Sequence, residues 1–357
     1  MWLYWLMFLI PLWYSIKNYN KIIINSKNKY YLEFSIYISL LVLFIGLRFE
    51  VGGDWYNYSN LIESVKDISL FNGLKITDPA YSLINWISAY FNFAQYLPNL
   101  ICAIIFGFGL FKFCITQPAP WLALTISIPY LVIVVAMGYT RQSVAIGLVM
   151  LALIYIEKNK LFFILFYLIL ATLFHKSAIV ILPFILFSGK RAFIGIIGII
   201  FIGILLYISL IQENIESLYS GYILDQYDSS GALVRILMCT MPGIIFLLFR
   251  KKFNLSIKQL EFWTWFAIGS LSLIPLFYLS PSSTAVDRIA LYWIPLQIFV
   301  LSRLPSALSY KNIEHGREWL FIILFYSFLI QFIWLFYADY RSFWLPYKFL
   351  LWEYLWN

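Results

Sequence analysis

The feature that most constrains this chain is the recurrence along its whole length of apolar runs of roughly 17 to 25 residues, separated by short polar breaks. That is the length a helix needs to cross about 30 Å of hydrocarbon at 1.5 Å per residue. Over 357 residues the chain is 62% hydrophobic and only 12% charged, with a mean hydropathy of +0.83, far from the balance of soluble domains. In lipid each backbone N–H and C=O must be satisfied within the protein, which a helix does by itself. The expected fold is therefore all-α, a polytopic transmembrane helical bundle forming a single membrane domain over 1–357. The stretch from Met1 to Ile16 has no basic residue before its apolar run and no small-residue cleavage site, so it reads as a first span rather than a signal peptide.

Candidate crossings fall at 2–16, 30–48, 95–115, 120–138, 140–157, 160–174, 176–188, 191–211, 232–250, 260–279, 286–303 and 317–338, about 12 in all. Charge orients them, because loops facing the cytoplasm carry the excess of Lys and Arg. The basic connectors are Lys17–Lys29, Lys158–Lys160, Lys190–Arg191, Arg250–Lys252 with Lys258, and Arg303–Arg317. Two of them flank 160–188, so an even number of crossings lies between, and the chain is expected to turn at the outer surface near His175. The loops 49–94 and 212–231 then fall outside, with Glu50, Asp54, Glu63, Asp67 and Asp78 in the first and Glu213, Glu216, Asp225 and Asp228 in the second. This layout requires that 79–92, opened by Pro79, lie in the interface or re-enter rather than cross.

The net charge of +8 sits in short connectors rather than on one face or in a tail, which argues for topology and against nucleic acid. Cys102, Cys114 and Cys239 lie in apolar surroundings without paired spacing and read as core residues. No P-loop, G-x-G-x-x-G or His/Cys ligand set is present, so no cofactor or metal is expected. No internal repeat marks a transporter built on inverted halves.

Under this topology Arg48, Asp54, Arg141, His175, Lys176, Arg235, Asp287, Arg288 and Arg341 gather at the outer side from many different spans. Arginines converging at one depth suit a di-anionic phosphate group, since the guanidinium fork pairs phosphate oxygens in two places. Each has a blander reading beside it. A lone Arg at a helix end can simply snorkel to the headgroups, Asp287 and Arg288 can form a local pair, and His175 can be a packing residue. Trp55, Tyr56 and Tyr58 can belong to an interfacial aromatic belt, and Gly52-Gly53 to a turn.

Four segments carry a family resemblance. Arg48-Phe49-Glu50-Val51-Gly52-Gly53-Asp54-Trp55-Tyr56-Asn57-Tyr58 resembles the R-x-x-x-G-x-D-x-x-x-Y signature of the EpsG-like polysaccharide polymerases, a branch of the Wzy O-antigen polymerases. Thr140-Arg141-Gln142-Ser143-Val144-Ala145 is similar to their R-Q-x-x-A element, Phe174-His175-Lys176-Ser177-Ala178 to their H-x-S-A element, and Asp287-Arg288-Ile289-Ala290-Leu291-Tyr292-Trp293 to a late D-R-x-x-x-Y segment. Gly53 departs from the pattern, standing where members often carry a small hydroxyl residue.

The resemblance implies a bacterial inner-membrane glycosyltransferase working at the periplasmic face. It would transfer a glycan from undecaprenyl diphosphate onto a lipid-linked repeat unit, in lipopolysaccharide or related polysaccharide biosynthesis. Its partners would be the lipid-linked donor and acceptor, membrane lipids and a chain-length regulator. Such a transfer needs a base for the acceptor hydroxyl and cations for the leaving diphosphate. Asp54 and then His175 are expected in the first role, and Arg141, Arg288, Arg48 and Arg235 in the second. Tyr56, Tyr58, Asp287 and Tyr292 are the expected sugar contacts. A lipid-linked oligosaccharide flippase or transporter, or an O-antigen ligase using the same donor, is the alternative reading.

Overall fold

A computed structural model describes residues 1–22, 31–186, 231–280, 282–309 and 313–356 of the chain. The expected crossing at 191–211, the acidic loop 212–231 up to Gly231, and most of the Lys17–Lys29 connector lie outside the described residues.

The described elements are helical throughout, with no strand among them and one isolated bridge between Arg48 and Phe349. They are α1 (Trp2–Ile22), α2 (Tyr31–Gly46), α3 (Trp55–Ser64), α4 (Leu70–Gly73), α5 (Pro79–Tyr90), α6 (Tyr96–Ile115), α7 (Pro120–Ser127), α8 (Thr140–Glu157), α9 (Leu161–Phe174) and α10 (Leu182–Leu186). After the gap come α11 (Ala232–Phe249), α12 (Ile257–Leu279), α13 (Ser283–Ala290), α14 (Ile294–Leu308), α15 (Ile313–Tyr337) and α16 (Leu350–Trp356). Their outer faces stay apolar: Phe162, Leu248 and Leu279 are each more than 70% exposed, as lipid-facing residues are and water-facing ones of this size rarely are.

Six helices are long and apolar enough to cross a membrane: Tyr96–Ile115, Thr140–Glu157, Ala232–Lys252, Ile257–Leu279, Ser283–Leu308 and Gly316–Tyr337. Tyr31–Gly46, Pro120–Ala136, Leu161–Phe174 and Lys176–Ile185 are apolar but shorter. Six of the expected crossings of about 12 thus correspond to helices of full length among the described residues, and at two others local geometry interrupts the apolar run. His175, extended at φ −158 and ψ 112, ends α9 and hands the chain to a 3₁₀ turn over Lys176–Ile181. Pro129 opens a π-helical stretch, Ile128–Ala136, that continues α7. The segment expected at 79–92 forms α5, whose 12 residues reach only about 18 Å, short of the hydrocarbon thickness.

α8 is the centre of the bundle, buried on nearly every face from Gln142 to Leu153. It packs on α6 at two glycines: a Cβ on Gly109 would stand 2.2 Å from the carbonyl oxygen of Gly147. The two backbones touch directly, as small residues allow in membrane helix pairs. Capping fixes the start of α12, where Ser256 accepts from the N–H of Gln259 and the Gln259 side chain accepts from the N–H of Ser256. The last segment returns to the end of α2. The N–H groups of Phe49 and Leu350 donate to the carbonyls of Lys348 and Leu47 at 3.0 and 2.8 Å. Lys348 meets Glu50 at 2.6 Å.

Candidate functional site

Four of the elements singled out in the sequence converge on the N-terminal end of α8. That helix starts directly after Tyr139, whose N–H closes the preceding turn on Val135, and it places Thr140, Arg141 and Gln142 on successive faces. Each of the three ties down a different neighbour.

Thr140 faces Arg48. The Arg48 guanidinium is 1% exposed and is taken up by the protein. Nη2 donates to Thr140 Oγ1 at 2.8 Å and to Asn99 Oδ1 at 3.1 Å, Nη1 to the Ile45 carbonyl at 2.5 Å, and Nε to the Val51 carbonyl at 3.1 Å. Four of its five N–H groups therefore have acceptors inside the fold, and the plane lies 5.8 Å from the Trp55 ring. Arg48 is a strut that joins α2, α6, α8 and the Gly52 turn. Gly52 itself sits at φ +109 with the Met137 carbonyl 2.2 Å from where a Cβ would be, a conformation and an approach that suit glycine alone.

Arg141 reaches the start of α5. Its Nη1 donates to Asp78 Oδ2 at 3.0 Å and also to Thr77 Oγ1, and its cation lies 5.9 Å from the Tyr81 ring. The other oxygen of Asp78 accepts the backbone N–H of Lys176 at 3.2 Å, so one carboxylate joins α5, α8 and the break at His175. Burial pushes the Asp78 carboxyl above its usual range, and Arg141 with the Lys176 N–H offsets part of that rise.

Gln142 donates from Nε2 to the Arg288 carbonyl at 2.5 Å, locking α13 beside α8. The Arg288 guanidinium lies 5.6 Å from the Tyr139 ring and meets no carboxylate among the described residues. Asp287, next to it in sequence, turns instead to Arg235, with Nε–Oδ1 at 2.7 Å and Nη2–Oδ2 at 2.9 Å. This bidentate pair closes the starts of α11 and α13 on each other.

Asp54 stands at the start of α3 without capping it through its side chain, and Asn57 Nδ2 lies 3.5 Å from its Oδ1. Burial raises its carboxyl above the ordinary value, and the cations of Arg288 and then Arg141 act on it in the opposite sense. His175 Nδ1 lies 2.6 Å from Ser177 Oγ, and Ser177 Oγ lies 3.1 Å from the Tyr292 hydroxyl. Burial first, and the fields of Arg141 and Arg288 second, push the imidazole down to about 3, so it is neutral at pH 7.

Of the expected site residues, Asp54, Arg141, His175 and Arg288 share one electrostatic neighbourhood. Tyr58 and Tyr292 are buried beside it, Tyr58 against Tyr81 at 5.5 Å. Tyr56 is 63% exposed. Arg235 and Asp287 face each other, Arg48 is internal, and Arg341 is exposed, donating to the Phe336 carbonyl. Sequence reasoning missed Asp78, reading it only as one acid of a loop, although its place before Pro79 marks a helix start. Thr77 and Asn99 carried no signal of their own, while Gln142 and Ser177 lay inside quoted motifs without a role.

A family model described as the EpsG family matches residues 31–349. No curated protein and no solved structure matches the chain.

Proposed function

The chain belongs to the EpsG family, and on that footing we propose that it is a membrane glycosyltransferase that polymerises a lipid-linked glycan. The donor is a glycan on undecaprenyl diphosphate, the acceptor a lipid-linked repeat unit, and the reaction runs at the periplasmic face of the bacterial inner membrane. In the transfer the acceptor hydroxyl oxygen attacks the donor's anomeric carbon, the bond from that carbon to the diphosphate oxygen breaks, and the hydroxyl proton passes to a base.

The observation that carries this reading is Arg288. It is a part-buried cation with no carboxylate within ion-pair distance among the described residues, and its field, like that of Arg141, falls on Asp54 and His175. An unneutralised guanidinium held in place by protein is a binding element for an anion whose charge grows as the bond breaks. Arg141, with one edge on Asp78, is the second cation. Asp54 suits the base, because burial makes its carboxylate more basic than one in water. His175 is too weak a base in this setting to compete, and as a neutral ring it serves as a hydrogen-bond partner.

The test is the surface glycan of a deletion strain complemented with wild type, Arg288→Ala or Asp54→Asn, resolved as a length ladder with expression checked. Deletion is expected to leave a single capped repeat unit, wild type to restore the ladder, and neither variant to do so. Loss of the single unit on deletion contradicts the polymerase reading; restoration by both variants contradicts the site.

A further inference from the structure

A second polar feature lies at the far end of the bundle. The spans Ala232–Lys252 and Ser283–Leu308 run in the same direction, because Arg235 grips Asp287 near both their starts. From Asp287 to Arg303 the helix rises about 24 Å, most of a hydrocarbon core. Where both spans finish, Lys251, Lys252, Asn254, Arg303 and Ser306 line an open cavity of about 910 Å³, together with apolar residues that include Phe253.

Among the described residues, three cations and no carboxylate line this cavity. Its arginine and the turn beneath its two exposed lysines are held by local contacts. Lys251 and Lys252 stand on a 3₁₀ turn that follows α11 and is itself followed by Phe253, buried against Phe246 at 5.2 Å, and by the capping box of α12. Arg303 is fixed on two sides, with Nε donating to Gln117 Oε1 at 3.0 Å and the guanidinium 4.4 Å from the Phe299 ring. Glu157, at the end of α8, acts on the Arg303 cation but is not among the lining residues. A snorkelling lysine needs neither a concave wall nor an anchored arginine. An anchored arginine with two lysines on the wall of the same cavity supplies the cationic donors that a phosphate group requires.

We propose that this cavity is a second anion site, on the opposite face from the Arg288 cluster, which takes a net-anionic phosphate group. The basic connectors place that face in the cytoplasm, where the phosphate belongs to an anionic phospholipid headgroup or to a soluble phosphate ester. The site stands apart from the glycan reading and does not depend on it.

The test is native mass spectrometry of the detergent-purified full chain with short-chain phosphatidylglycerol, phosphatidylcholine or glycerol 3-phosphate. Wild type is expected to retain phosphatidylglycerol over phosphatidylcholine. Lys251→Gln/Lys252→Gln is expected to weaken that retention about thirtyfold, from the usual effect of two basic residues beside anionic lipid. Should the double variant fail to accumulate, Lys252→Gln alone carries the same readout at about fivefold. Displacement of the lipid by glycerol 3-phosphate assigns a soluble ester, and its failure assigns the headgroup; both support the site. Equal retention of the two lipids by wild type, or unchanged retention by the lysine variants, overturns it.

Discussion

Asp78 holds Arg141 at 3.0 Å through one carboxylate oxygen while the other takes the N–H of Lys176, so the motif arginine and the motif histidine are positioned by an acid that belongs to neither motif. Removing that acid leaves a part-buried cation without its ion pair and frees the break at His175. Asp78→Ala is expected to lower stability by about 2 kcal/mol, below the usual cost of a broken buried pair because Arg141 keeps some exposure. Asp78→Glu is expected to recover part of both stability and polymer length. Melting of the purified protein and the glycan ladder check the two together.

Arg288 and Arg48 are expected to fail in opposite ways. Arg288 makes no ion pair among the described residues, so Arg288→Ala should fold within about 0.5 kcal/mol of wild type, as sites outside such networks do, yet yield no ladder. Arg48→Ala removes four internal hydrogen bonds and orphans buried acceptors at Asn99 and Thr140. A loss of about 3 kcal/mol or more is expected, seen as failure to accumulate in the membrane. Equal accumulation of the two variants counts against the division of roles.

The Arg235–Asp287 pair joins helix starts with side chains 14% and 9% exposed. Removing one residue takes the bidentate ion pair from the other, at a cost of about 3 kcal/mol, whereas replacing both with apolar residues restores most of it. A double-mutant cycle on Arg235→Met and Asp287→Leu, read by melting temperature, is expected to show strong coupling; additive effects would mean that the pair is not cooperative.

The pH profile separates the two base candidates. A base works only when unprotonated, so activity falls as pH drops through its pKa. Asp54 is raised by burial, which puts the acid limb above the value of a free carboxyl group near 3.9. His175, at about 3, contributes no step near 6.5. Polymer yield from proteoliposomes across about pH 3 to 8, which brackets both ordinary values, is expected to keep its acid limb in His175→Gln. Disappearance of the limb in that variant would transfer the role of base to His175.

The sequence reveals helices where a local rule operates and conceals what depends on distant partners. The run 140–157 forms α8 over the same residues, because an apolar stretch bounded by charge at both ends has one register in a bilayer. The break that ends α9 at His175 falls where the basic connectors of the sequence call for an interruption. Arg48 shows the limit: an R-x-x-x-G-x-D motif specifies the residue types but not whether the guanidinium faces a ligand or Thr140, 92 positions away. Asp78 is hidden for the same reason, with Arg141 63 positions distant. The return of the last segment onto α2 leaves no periodic signal, because an isolated bridge and aromatic packing have none.

That return carries the last prediction. Trp344 is 2% exposed and donates from Nε1 to the Ile133 carbonyl at 2.8 Å, while its own carbonyl accepts the Tyr4 hydroxyl at 2.8 Å. Its ring lies against Gly138, where an added Cβ would meet it at 2.5 Å, two residues before α8 begins. The N–H of Gly52 donates to the Phe343 carbonyl at 2.8 Å, so the same segment supports the turn that carries Asp54. Trp344→Ala removes a large buried ring and orphans an acceptor at Ile133, a loss of about 3 to 5 kcal/mol for a core aromatic. Trp344→Phe keeps most of the ring volume and loses only the Nε1 bond, for about 1 to 2 kcal/mol. If the segment positions the site as well as stabilising the bundle, Trp344→Phe protein that accumulates normally is expected to give a shorter ladder than wild type. A ladder of unchanged length at matched expression would confine Trp344 to stability.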